Sequence, residues 1–287
     1  MNLIEKLTEI RTFEPSKIDE ALQNRKPGQL PRDRNIMVIA CDHPARGALG
    51  AGGDPMAMAS REEVLERCVE ALSRPGVDGF LGTADMIEDL ALLGALEGKL
   101  VWGSMNRAGL QGASFEMDDR FNCYDAQGIV DSKLDGGKML TRINLEDANT
   151  AATLEASANA IDELNARKVM AMVEPFISNW VDGRIVNDLS TDAVIKSIAI
   201  ASGLGRSSAY TWLKLPCVDN MERVMEATTL PSLILGGEVP ENPDQALEGW
   251  ASALKLPNVK GLVIGRSLLF PGDGDVAKAV DNATELL

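Results

Sequence analysis

Short apolar runs alternate with longer amphipathic stretches along most of this chain, and that alternation constrains the fold more than any other feature. The runs are 35–40, 79–82, 100–104, 137–143, 169–174, 210–215, 232–237 and 259–266. Segments of helical spacing separate several of them: Ser60 caps a stretch with apolar positions at Val64, Leu65, Cys68, Val69 and Leu72, and others run over 84–96 and 148–165. Strands alternating with helices imply a parallel sheet. Eight such units predict a closed (β/α)8 TIM barrel; a doubly wound open sheet is the alternative. At 287 residues the chain suits one barrel domain better than two small ones. Residues 1–34 read as an extra N-terminal helix and connector, and 35–287 as the barrel. The polar stretch 105–124 is long for a connection and reads as a lid or substrate loop.

Parallel barrel strands are buried on both faces and should be almost wholly apolar. Four of these strands break that rule: the first ends in Asp42, the fourth carries Lys138, the fifth ends in Glu174 and the sixth carries Lys214. Polar residues near strand C-termini face the mouth where barrel enzymes work. Two lysines aimed at one cavity each disfavour the charged form of the other, and burial adds to this. A neutral amine is what attack on a carbonyl requires. In that reading Lys138 activates Lys214, and Asp42 and Glu174 move protons. Each residue has a plainer account. Lys214 could reach solvent, Gly136-Gly137 could set Lys138 low in its strand, Glu174 could pair with an arginine, and Asp42 could serve the turn before His43-Pro44.

Gly236-Gly237 and Gly265-Arg266 end the seventh and eighth strands, where barrels often bind phosphate. Alternatively, these glycines relieve crowding and Arg266 pairs with an acid. His43 reads equally as a proton-transfer group or a turn residue bonded to backbone. Arg46 and Arg107 follow strands one and three and could contact substrate, although solvated loop arginines are the simpler account. Trp102 and Trp212 read as packing residues.

Composition narrows the function. A formal net charge of −15 disfavours nucleic acid and means that a phosphate site needs a local cluster of cations. His43 is the single histidine, so zinc sites built on two or three histidines are excluded within one chain. No metal or cofactor is expected. The four cysteines form no CxxC pair and are expected reduced and mostly buried. No apolar run approaches the ~20 residues of a membrane span, and the start lacks a signal-peptide core. A cytoplasmic location follows as the default.

Ala40-Cys41-Asp42-His43, Lys138, Glu174, Trp212-Leu213-Lys214-Leu215 and Gly261-Leu262-Val263-Ile264-Gly265-Arg266 together resemble the class I aldolases of the tagatose-bisphosphate and deoxyribose-phosphate type. The resemblance spans roughly residues 35 to 270. It implies a Schiff-base lysine at Lys214, with Asp42, Lys138 and Glu174 in the active site, phosphate on Arg266 and a homo-oligomer. Trp212-x-Lys214-Leu215 and Val259-Lys260-Gly261 with Gly265-Arg266 are similar to the 2-deoxy-5-keto-gluconate 6-phosphate aldolase domain of inositol catabolism. The chain departs from that domain around strands three and four. The similarity implies a phosphorylated sugar acid as substrate, with dihydroxyacetone phosphate and malonate semialdehyde as products. A phosphosugar isomerase or epimerase on the same barrel, and a non-catalytic sugar-phosphate sensor, are the rival expectations.

Overall fold

The computed structural model describes residues 2–237, 239 and 243–287. Among the described residues nine strands form: β1 Ile36–Cys41, β2 Val77–Gly82, β3 Leu100–Ser104, β4 Gly136–Ile143, β5 Met170–Val181, β6 Arg184–Asn187, β7 Thr211–Pro216, β8 Ser232–Leu235 and β9 Val259–Ile264. Eight of them pair in parallel in the order β4-β3-β2-β1-β9-β8-β7-β5, and β4 pairs with β5 to close the ring. The fold is the expected (β/α)8 barrel.

Side chains alternate across a strand, so one parity of each strand fills the barrel and the other meets the helices. Ile36, Val38, Ala40, Leu81, Leu100, Trp102, Met172, Leu233 and Val263 form the inner cluster. Met37, Ile39, Cys41, Val101, Met139, Val173, Leu213, Leu215, Leu262 and Ile264 belong to the larger cluster that includes helix residues such as Leu65, Leu90 and Ile161. Trp102, fully buried, fills the middle of the barrel because Gly136 on the next strand has no side chain. A Cβ there would stand 2.4 Å from the indole Cδ1.

Three departures from expectation have identifiable causes. The N-terminal segment makes two helices, Leu3–Phe13 and Ser16–Asn24, broken at Pro15. They lie against helix Ala84–Leu92, where Arg11 donates to Asp89 and Glu88 at 2.8 and 2.9 Å. That helix ends before Gly94, which turns with a φ of 72°. Finally, β5 does not stop at Glu174-Pro175. It runs on to Val181 and folds back as antiparallel β6. Proline lacks a ladder donor, yet a strand can pass through it where that N–H is not needed.

The 105–124 loop is not loose. The buried Arg46 guanidinium donates to Asn106 O at 2.8 Å, Gly109 O at 2.9 Å and Asp119 Oδ2 at 2.5 Å. Arg142, near the end of β4, pairs with Glu116 at 2.9 Å. The Asn106 amide bonds both backbone groups of Leu140. Among the described residues no helix is long and apolar enough to cross a membrane. Cys41 and Cys68 are buried, but Cys123 is exposed and Cys217 half-buried, so burial is less general than expected.

Gly136→Ala is expected to destabilise the fold by about 1–3 kcal/mol, the usual cost of overpacking a filled core. Urea unfolding measures it, and an unchanged midpoint would contradict the assignment of Trp102 to that gap.

Candidate active site

Parity brings the polar residues together. Asp42 continues the inward series Ile36, Val38, Ala40; Ser104 continues Leu100 and Trp102; Lys138 follows Gly136; Glu174 follows Met170 and Met172; Lys214 follows Trp212. The register aligns Ser104 with Lys138 and Leu140 with Glu174, while Val173 meets Leu213 one step before Glu174 and Lys214. All five side chains converge at the C-terminal mouth.

The cluster is dry and densely paired. Lys138, Lys214, Asp42 and Glu174 are 2, 4, 1 and 7% exposed. Glu174 stands between the lysines: Oε1 lies 2.8 Å from Lys214 Nζ, and Oε2 makes a close ion pair with Lys138 Nζ. Lys138 also reaches Asp42 Oδ2 at 3.3 Å. The same oxygen accepts from Ser104 Oγ at 3.2 Å and, closely, from Arg107 Nη2. Arg107 Nε donates to Ser104 Oγ at 2.8 Å.

These contacts decide between the alternatives left open by the sequence. Lys138 is not at the bottom of its strand, Lys214 is not in solvent, and Glu174 pairs with two lysines rather than an arginine. Arg107 and Arg46 are 4 and 5% exposed, so the solvated-loop account of both is wrong. The loop folds their guanidiniums onto Asp42 and Asp119, and a buried guanidinium needs such a partner. Glu174 stands between the two lysines as their shared counter-charge.

The charges set the protonation states. Burial lowers Lys138 to about 8 against the opposing pull of Asp42 and Glu174. Burial would raise Glu174, but Lys138 and Lys214 overcome it and hold the carboxyl at about 2. Asp42 is likewise held well below the usual carboxylate range, with Arg107 and Lys138 outweighing burial. Burial, reinforced by the nearby cations Arg266, Lys214 and Arg107, takes His43 down to about 3 despite Asp42, so its ring is neutral at neutral pH. Its Nδ1 lies 3.8 Å from Asp42 Oδ1 and has no hydrogen-bond partner.

A second polar region adjoins this cluster. Arg266 and the glycine-rich loop after β1 line a cavity of about 390 Å³ with Leu49, Asp54, Gln111 and Val239. Arg266 Nε and, on the next residue, Ser267 Oγ are buried without partners. Gly265 is packed so tightly that a Cβ would meet Ala40 O at 2.4 Å and His43 Cε1 at 3.3 Å. Gly236 abuts Ile264 and Ser267, so crowding alone requires it, and Gly237 faces open space. Sequence reasoning missed Ser104, which strand parity could have found, and the lining role of the 47–53 loop.

The family model for Cgl0159-like proteins matches residues 34–284. The chain belongs to the Cgl0159-like family. The crystal structure of Cgl0159 from Corynebacterium glutamicum (Brevibacterium flavum) is 56% identical over 99% of this chain and 96% of that one, with a TM-score of 0.96. An archaeal fructose 1,6-bisphosphate aldolase superposes with a TM-score of 0.64 at 17% identity, covering 94% of this chain and 98% of its own. Another, with its catalytic lysine covalently bound to the carbinolamine intermediate of the substrate, gives 0.66 at 16% identity and the same coverage. At that distance the likeness shows the fold of this Cgl0159-like protein. No curated protein matches the chain.

Replacing Glu174 by leucine leaves two buried lysines without their shared carboxylate. Breaking a buried pair typically costs about 3–5 kcal/mol, and a loss of that size is expected for Glu174→Leu at neutral pH. Because Glu174 is one of the two carboxylates that hold Lys138 up at about 8, its removal lowers that ammonium further, and the loss should shrink as the pH rises towards 8 and Lys138 becomes neutral. Chemical unfolding at neutral and alkaline pH tests this, and a pH-independent loss would count against the arrangement.

Proposed function

We propose that this protein is a class I aldolase in which Lys214 forms a Schiff base with a ketose phosphate or deoxy-keto sugar-acid phosphate. The observation that carries the reading is the lysine–carboxylate–lysine bridge, Lys138–Glu174–Lys214, buried at the barrel mouth. The fold shared with Schiff-base fructose-bisphosphate aldolases supports it.

The bridge offers a route to a free amine. Asp42, Glu174, Lys138, Lys214 and Arg107 together carry one net positive charge when fully ionised. Lys138, at about 8, loses its proton first. Glu174 touches both amines and can pass a proton from Lys214 to the neutral Lys138, which leaves Lys214 as the nucleophile. Coupled groups titrate as a unit, so the value belongs to the cluster.

Lys214 Nζ then adds to the substrate ketone and water leaves, giving an iminium ion. A carboxylate, Glu174 or Asp42, takes the proton of the hydroxyl whose carbon becomes the aldehyde. The electrons of the breaking carbon–carbon bond flow to the iminium nitrogen and form an enamine. Protonation of the enamine carbon and hydrolysis release the second product and return the amine. The unpartnered donors Arg266 Nε and Ser267 Oγ suit an anionic group, which supports a phosphate held by Gly236, Gly237, Gly265 and Arg266. Remote binding of that kind lowers the barrier at the reacting carbon. The specific substrate we favour is 2-deoxy-5-keto-gluconate 6-phosphate, cleaved to dihydroxyacetone phosphate and malonate semialdehyde in inositol catabolism.

Incubation with dihydroxyacetone phosphate and borohydride should leave a stable secondary amine on Lys214, read by peptide mass spectrometry. No adduct with any of a panel of ketose phosphates would overturn the reading, and an isomerase would give none. Lys214→Met should lose the adduct and lower kcat by more than about 10³-fold, as removal of a nucleophile does. Since the active form has lost a proton, kcat/KM should rise with pH through about 8. A profile flat across that range would remove the cluster from the mechanism.

A further inference from the structure

The hairpin at the end of β5 takes no part in the site. Asp182 and Gly183 form its two-residue turn with φ of 49° and 74°, the left-handed pair that suits a twisted hairpin. The register pairs Ser178 with Asn187 and Val181 with Arg184, and the Asp188 N–H donates to Ile177 O at 2.8 Å. In an antiparallel pair alternate residues turn their backbone groups to the partner strand. Arg184, Val186 and Asp188 therefore direct theirs at β5, whereas Ile185 and Asn187 direct theirs outward. β6 ends the strand order, with no strand beyond it among the described residues.

We propose that β6 pairs antiparallel with β6 of a second copy of this chain, about a two-fold axis at Val186. A two-fold normal to the sheet keeps every side chain on its own face, so the register must centre on a residue, not between two. Centring on Val186 sets Ile185 opposite the partner's Asn187 and Asn187 opposite the partner's Ile185. Those are the residues whose N–H and C=O groups point outward, so four backbone hydrogen bonds form. The same register places Arg184 opposite the partner's Asp188, twice over.

Three observations favour a second copy as the occupant. Arg184 is exposed and has no carboxylate partner in its own chain among the described residues. Asp188 accepts the Ser190 N–H on Oδ1 at 2.9 Å and, among the described residues, pairs with no cation of its own chain. Centring on Ile185 or Asn187 instead would face Arg184 with Val186 or Ser190, so only one register complements the charges. The exposed face also carries Val181 and Val186, each 48% exposed, and the axis brings the two copies of Val186 side by side. With a formal net charge of −15, two copies repel at long range, and a face that supplies its own cation is what self-association needs. Exposed strand edges pair readily with another chain.

Sedimentation velocity tests the proposal, with circular dichroism to confirm that each variant is folded. Wild type should sediment as a dimer or a multiple of it. Arg184→Asp, which sets carboxylate against carboxylate at both ends of the paired strands, and Val186→Asp should each weaken self-association at least tenfold. Arg184→Asp/Asp188→Arg should recover most of it. In the wild-type assembly the Ile185 and Asn187 amides should resist hydrogen exchange, and in the Val186→Asp variant they should not. A monomeric wild type, an oligomer unchanged by both single variants, or free exchange at those amides in the wild type would overturn the proposal.

Discussion

Glu174 carries the electrostatics of the mouth. Two lysines enter the barrel from β4 and β7, and neither could remain ionised in a dry cavity without a counter-charge. One carboxylate satisfies both, with one oxygen for each. Asp42 performs a parallel service for Lys138 and Arg107. The polar interior is thus a chain of alternating signs, Arg107–Asp42–Lys138–Glu174–Lys214, with Arg107 placed by the loop after β3 and the other four by the barrel's parity and register. Removing an inner link leaves like charges adjacent, which is why stability and chemistry are coupled at this point.

Much of this was legible before any coordinates. The eight apolar runs are what a parallel barrel demands of its strands, and a charged residue inside such a run is conspicuous because burial makes it costly. Asp42, Lys138, Glu174 and Lys214 stand out for that reason alone. What the sequence concealed were relations between distant positions. Arg46 meets Asp119 across 73 residues, and Arg107 meets Asp42 across 65. Nothing near either arginine says that it is buried. The hairpin was hidden for another reason: Ser178 to Asn187 mixes polar and apolar residues, and Pro175 reads as a strand end. Asp182-Gly183 is a turn pair, but the residues on either side of it do not alternate cleanly.

The division of labour around the mouth follows the fold. The strand ends carry the buried ionic cluster. The loops after β1 and β9 line the neighbouring cavity, with Arg266 at the start of a short helix and the glycine-rich loop opposite.

The pinned 105–124 loop has an implication for how such a site diversifies. Arg46, Asn106, Asp119, Glu116 and Arg142 fasten that side of the rim to the body, so changes there propagate into the core. Among the described residues the glycine-lined side has no comparable set of buried ion pairs. Adaptation to a ligand of another shape therefore has its least encumbered path through residues 47–55, which can lengthen or shrink while the ionic interior stays untouched.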